Sequence, residues 1–205
     1  MQPDTAEGDD RGGIIEAAYI CLSEPHSAAI PVAAILQRAG VSTRAFYREF
    51  ESKDELFLAM LRQETDALAG RLDRICADTQ GGPADQLMAW IAAMFGLIRD
   101  DQTRMHFTVI DSEEVRAAKG YREMREKGHA DRERSLVAIL RRGRDDGSFP
   151  LADPEQDAFA INAVISRVMI SQSYEDQEGM RQAQAQILDF ALRALGANRV
   201  SADRR

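Results

Sequence analysis

Residues 32–50 read VAAILQRAGVSTRAFYREF, and no other stretch constrains the fold as tightly. Val32, Ile35, Leu36 and Ala39 fall at i, i+3, i+4 and i+7, so they share one face of a helix. Gly40 follows at once, in the place of a left-handed helix cap. After Val41 comes Ser42, an N-cap for another helix that runs to about Phe50. Pro31 fits the first turn of the earlier helix, where its missing N–H costs nothing. Two short helices with a tight glycine turn between them have the spacing of a helix-turn-helix.

The remainder of the chain is helical by the same test. Ala, Leu, Arg, Glu and Gln are common among the 205 residues, and β-branched runs of period two are absent, which predicts an all-α protein. A helix from about Gly13 to Ser23 places Ile14, Ala17, Ala18, Cys21 and Leu22 on one face. Ser52 and Glu55 form a capping box opening a helix with Phe57, Met60, Leu61, Leu68, Leu72 and Ile75 along one stripe. Asp78–Asp85, DTQGGPAD, is the clearest break in composition, and a helix apolar nearly all round follows it. Next come a short helix near 103–110 and a long polar one over about 113–142. Asp153 as N-cap, Pro154 at the first position and Gln156 at the third open a helix running to about Ser173. The last spans about 178–195, with Met180, Ala183, Ile187, Leu188, Ala191 and Leu195 in a stripe, and stops at Gly196. The expected organisation is a disordered tail over 1–12, a helix-turn-helix domain over 13–58, a second helical domain over 59–196 and a tail over 197–205.

Several function classes find no support. Cys21 and Cys76 do not make a disulfide framework and read as reduced residues of a cytoplasmic protein. The polar, acidic N-terminus is no signal peptide, and the longest apolar run, residues 87–98, is too short to span a bilayer. His26, His106 and His129 are scattered without metal-ligand spacing. Asp145-Asp146-Gly147 lacks the ligand series of a calcium loop, and no Gly-rich phosphate loop exists. Nothing points to a catalytic triad, so neither an enzyme nor a cofactor is expected.

Charge is divided unevenly. The formal net charge is -8, yet residues 28–53 carry Arg38, Arg44, Arg48 and Lys53 against Glu49 and Glu51, a local +2. Phe46 and Phe50 share the inner face of the second short helix, which leaves Thr43, Arg44, Tyr47 and Arg48 outside. A helix so placed can enter a major groove about 12 Å wide, and an acidic body confines docking to the cationic face. The plainer reading is an ordinary solvated face on a small helix.

Ile30–Leu61, IPVAAILQRAGVSTRAFYREFESKDELFLAML, resembles the DNA-binding domain of the TetR family of bacterial transcriptional regulators. The matching positions are Ile35-Leu36, Ala39-Gly40-Val41-Ser42, Tyr47, Phe50, Ser52-Lys53-Asp54 and Leu56. Ile30-Pro31 departs from the pattern, where a capping Thr or Ser is usual, and so does Arg44, where Gly is frequent. The resemblance implies that Tyr47 and Lys53 contact phosphates and that Ser42, Thr43, Arg44 and Arg48 form the recognition surface. It implies a homodimer through the last two helices, a double-stranded operator and a small-molecule effector bound by the second half. Trp90, Met94, Met105, Phe107, Tyr121, Met124 and Met169 are the candidates to line that effector's pocket, although for each alone core packing is the favoured reading. The rival reading is a helical ligand-binding or protein-interaction module without DNA recognition.

Overall fold

The computed structural model describes residues 10–96, 100–171 and 176–197. Among them are ten helices and no strand: α1 Asp10–Ser23, α2 Val32–Ala39, α3 Thr43–Glu49, α4 Lys53–Asp78, α5 Pro83–Gly96, α6 Asp101–Ile110, α7 Glu113–Arg116, α8 Tyr121–Asp145, α9 Pro154–Ser171 and α10 Gln177–Ala194. The protein is all-α, as the periodicity predicts. None of the described helices is long and apolar enough to cross a membrane.

The chain divides into two compact units. The first takes residues up to Thr65 together with Gln102–Lys127, so α6 and α7 join α1–α3 and the start of α4. Its core is built on Ile14, Ala18, Tyr19, Ile35, Phe46, Phe50, Leu56 and Met60. The side of α1 expected to be apolar is buried throughout, and Ile15 and Tyr19 widen it. The second unit takes Asp66–Asp101 and everything from Gly128, with Trp90, Ile91, Leu136, Ile139, Leu140, Phe149, Ile161 and Ile165 in its interior. The Asp78–Asp85 loop therefore lies inside this second unit, and the division falls within α4 instead.

Other elements differ from expectation for local reasons. The long polar helix over 113–142 is two helices, α7 and α8. Gly120 between them takes φ 92°, a left-handed conformation that only glycine adopts without strain, while Ala118 turns inward and is buried. Residues 10–12, expected in the tail, belong to α1, because Arg11 donates to the Glu49 carbonyl at 2.8 Å and stacks over the Phe50 ring at 4.5 Å. Pro31 is the N-cap of α2 rather than its first residue. In the capping boxes Ser52 and Asp153 accept from Glu55 and Gln156 as expected. The return bonds differ: Glu55 reaches back to the Glu51 amide, and Asp157 rather than Gln156 serves Asp153. The expected helix end at Ser173 and the tail over 197–205 fall largely outside the described residues, as do residues 1–9 of the N-terminal tail.

Candidate nucleic-acid interface

The turn between α2 and α3 is fixed by backbone chemistry. Gly40 sits at φ 70°, ψ 24°, and its N–H and that of Val41 both donate to the Leu36 carbonyl. Ser42 is extended at φ -80°, ψ 159°, and its hydroxyl accepts from the Ala45 amide at 3.1 Å. A helix of only seven residues has no stability of its own, so α3 depends on tertiary anchors. Phe46 and Phe50 provide them: both are fully buried, with ring centroids 5.6 Å apart. Tyr47 sets its edge against Phe46 at 5.2 Å and still leaves 62% of its surface in solvent.

Five of the six residues expected to face nucleic acid therefore lie together. Ser42, Thr43, Arg44, Tyr47 and Arg48 are all exposed on or beside α3. Lys53 is placed differently. It opens α4, is half-buried, and its ammonium donates to the Ile30 carbonyl and to Glu114 of α7. The same Glu114 carboxylate accepts from the Ile30 amide at 3.0 Å and lies 3.5 Å from His26 Nε2. Other cations near the turn are also engaged. Arg38 pairs with Glu24 at 2.8 Å, and Arg48 pairs with Asp10 at 2.6 Å and with Glu49 at 3.1 Å. Arg44 alone among these four has no polar partner among the described residues.

The residues expected to line an effector pocket are divided. Trp90, Met94 and Met169 belong to the second unit, where Trp90 is fully buried and its indole N–H donates to Ser135 Oγ at 2.9 Å. Met105, Phe107, Tyr121 and Met124 are half-buried against the core of the first unit. Tyr121 also edges an open cavity of about 340 Å³ with Arg116, Arg122 and Arg125. Its hydroxyl donates to Asp111 at 3.2 Å, and burial pushes the phenol pKa up although Arg125 alongside pulls the other way.

Two buried polar groups were missed by sequence reasoning. In the first unit His106 stacks on Tyr19 at 3.8 Å and pairs through Nδ1 with Glu64 at 2.6 Å, while the Tyr19 hydroxyl donates to the Met60 carbonyl at 3.2 Å. Burial, reinforced by Glu64, pushes the Tyr19 phenol far above its ordinary range. In the second unit Asn162, 2% exposed, donates to Glu133 at 2.8 Å, and its carbonyl oxygen has no partner among the described residues. The available signal for Asn162 was its place between Ala158, Ile161 and Ile165 on the buried side of α9.

Residues 14–60 match the family described as bacterial regulatory proteins, tetR family. The chain carries a TetR-family domain at its N-terminus. The match spans α1, the turn and α3, and extends into α4. Whole-chain likeness to solved structures agrees with it. SmeT in complex with triclosan is 26% identical, with a TM-score of 0.72 over 90% of either chain. GusR of Salmonella enterica has a TM-score of 0.73 at 19% identity, over 92% of this chain and 96% of its own. The transcriptional regulator FadR of Bacillus subtilis, solved with stearoyl-CoA, has a TM-score of 0.69 at 16% identity, over 89% of this chain and 98% of its own. No curated protein matches the chain in sequence. The fold is shared along its length with a bacterial regulatory protein in the tetR family from Rhodococcus RHA1, at a TM-score of 0.68 and 19% identity over 93% of this chain and 99% of its own.

Proposed function

We propose that this TetR-family chain is a cytoplasmic DNA-binding transcriptional regulator, acting as a homodimeric repressor that a small effector releases from a palindromic operator. The observation that carries the reading is the outer face of α3. Ser42, Thr43, Arg44, Tyr47 and Arg48 stand in solvent on a helix held from behind by Phe46 and Phe50. Arg44 is the candidate for a guanine edge, since it is exposed and unpaired among the described residues, and a guanidinium fits the two acceptors of guanine. Tyr47, largely exposed, is the candidate for a phosphate contact, and Lys53 would reach a phosphate only by leaving Glu114.

Release would be a population shift. An effector that binds better to a form with misplaced α3 helices weakens operator affinity by that difference in affinity alone. SmeT holds triclosan and FadR holds stearoyl-CoA within the same overall fold, which supports a small-molecule site in this chain. Within the second unit, the buried Asn162 and its partner Glu133 support that reading.

For the dimer, α9 and α10 are the proposed contact. Ile165, Ile187 and Leu195 are buried within the second unit, and among the described residues of these helices Phe159, Val164 and Phe190 are exposed. An isologous two-fold contact through these two helices would set two α3 helices at a spacing of about 34–36 Å, or a multiple of it, along the duplex. A helical module without DNA recognition is favoured by one observation, the internal pairing of Arg38, Arg48 and Lys53. Selection of bound fragments from random DNA by the purified protein decides between them. Recovery of a two-fold symmetric site is the expected result, and recovery of no shared sequence would favour the rival.

A further inference from the structure

The start of α1 and the end of α3 are tied by two side chains. Arg11 caps the α3 carbonyl of Glu49 at 2.8 Å, and its guanidinium lies 4.5 Å above the Phe50 ring. That contact fixes the first turn of α1 beside the last turn of α3. Asp10, one residue earlier, is thereby held with its carboxylate 2.6 Å from the Arg48 guanidinium. Asp10 is 24% exposed in its side chain and Arg48 is 48% exposed. The pair is open enough for a competing anion to reach.

Arg48 belongs to the outward set of α3. Its Nε is held by the neighbouring Glu49 at 3.1 Å and its Nη2 by Asp10, so an anion meeting the Nη2 end must take it from Asp10. We infer that Asp10 is a built-in competitor of the DNA phosphate: it occupies Arg48 in the free protein and lowers affinity for any duplex, whatever its sequence. The inference rests on the DNA-binding reading above. Carboxylate and phosphate are both anionic oxygen acceptors for a guanidinium, so a phosphate can displace Asp10 from the Arg48 Nη2 that it now holds. Glu24 holds Arg38 in a similarly open pair, whereas Lys53 and Glu114 are half-buried and tied to Ile30 as well. Arg44, free of such a partner among the described residues, keeps its full charge for the site it reads. The effect of such a collar is discrimination. Contacts common to all DNA are weakened, and base contacts are left untouched.

An exposed ion pair of this kind is worth a modest factor, about two- to fivefold in an equilibrium constant. The test is a thermodynamic cycle read by fluorescence anisotropy with a labelled mixed-sequence duplex at low salt. Asp10→Asn, which keeps the size of the side chain, is expected to tighten binding by about two- to fivefold. Arg48→Ala is expected to weaken it. Adding Asp10→Asn to Arg48→Ala should then bring little or no gain. The inference is overturned if Arg48→Ala weakens binding while Asp10→Asn leaves it unchanged. It is also overturned if Asp10→Asn gives the same gain with and without Arg48, since Asp10 would then act only as bulk negative charge. Failure of wild type and Asp10→Asn alike to bind the duplex would instead sink the DNA-binding reading, and this inference with it.

Discussion

Tyr47 leaves 62% of its surface in solvent on a helix of seven residues, whereas Trp90 exposes none in the middle of a helix of fourteen. The first unit uses its large apolar side chains, Phe46 and Phe50, to hold a short helix down, and turns polar and aromatic residues outward. The second spends its largest side chain on its own interior and closes the indole N–H with Ser135. A convex binding surface consists of what a core leaves over. A concave one consists of gaps in a core. The first can be named residue by residue once the anchors are known. The second depends on which interior positions are polar or unfilled, and Asn162, whose carbonyl has no partner among the described residues, is one such position.

Truncating the interior of either unit should produce the largest effects. Phe46→Ala and Trp90→Ala are each expected to cost about 3–5 kcal/mol of folding stability, read from urea or thermal unfolding. If Trp90→Ala cost nothing, Trp90 would be a cavity wall rather than core, and the contrast between the units would fail. Arg44→Ala should leave unfolding unchanged, because its side chain is exposed, yet should weaken binding to the selected site by about 1–3 kcal/mol and relax its sequence preference. Gly40→Ala has room for its methyl group but must hold φ at 70°, so a loss of about 1–2 kcal/mol in stability is expected, measured in the same unfolding experiment. Tyr47→Phe is the gentlest change. It should weaken binding to every duplex alike by about 0.5–1.5 kcal/mol in a titration, with no change in unfolding.

Much of the first unit's turn and α3 could be read from sequence because each of their devices is local. Gly40, Ser42 and the Ser52–Glu55 box act within five residues of themselves, and i, i+3, i+4 spacing orients Phe46 and Phe50 without further information. Contacts across long separations left no such trace. Glu114 reaches Lys53 over 61 positions, Asp10 reaches Arg48 over 38, and His106 reaches Glu64 over 42. The break between α7 and α8 was hidden for another reason. Ala-Ala-Lys before Gly120 is good helix material, and only the burial of Ala118 and the left-handed Gly120 turn the chain there. The effector candidates suffered most, because Met and aromatic residues at helical spacing fill cores and line cavities with equal ease.

The central claim is that the outer face of α3 meets the phosphates and bases of duplex DNA. The dependence of duplex affinity on salt, measured for the wild-type protein and for Arg44→Ala/Arg48→Ala, tests it most directly. Every phosphate that an arginine no longer neutralises should lower the slope of log affinity against log salt by about one. The double variant, folded by its circular dichroism and unfolding midpoint, is expected to bind more weakly, with a slope shallower by up to about two. Equal affinity and an equal slope in the two proteins would contradict the account.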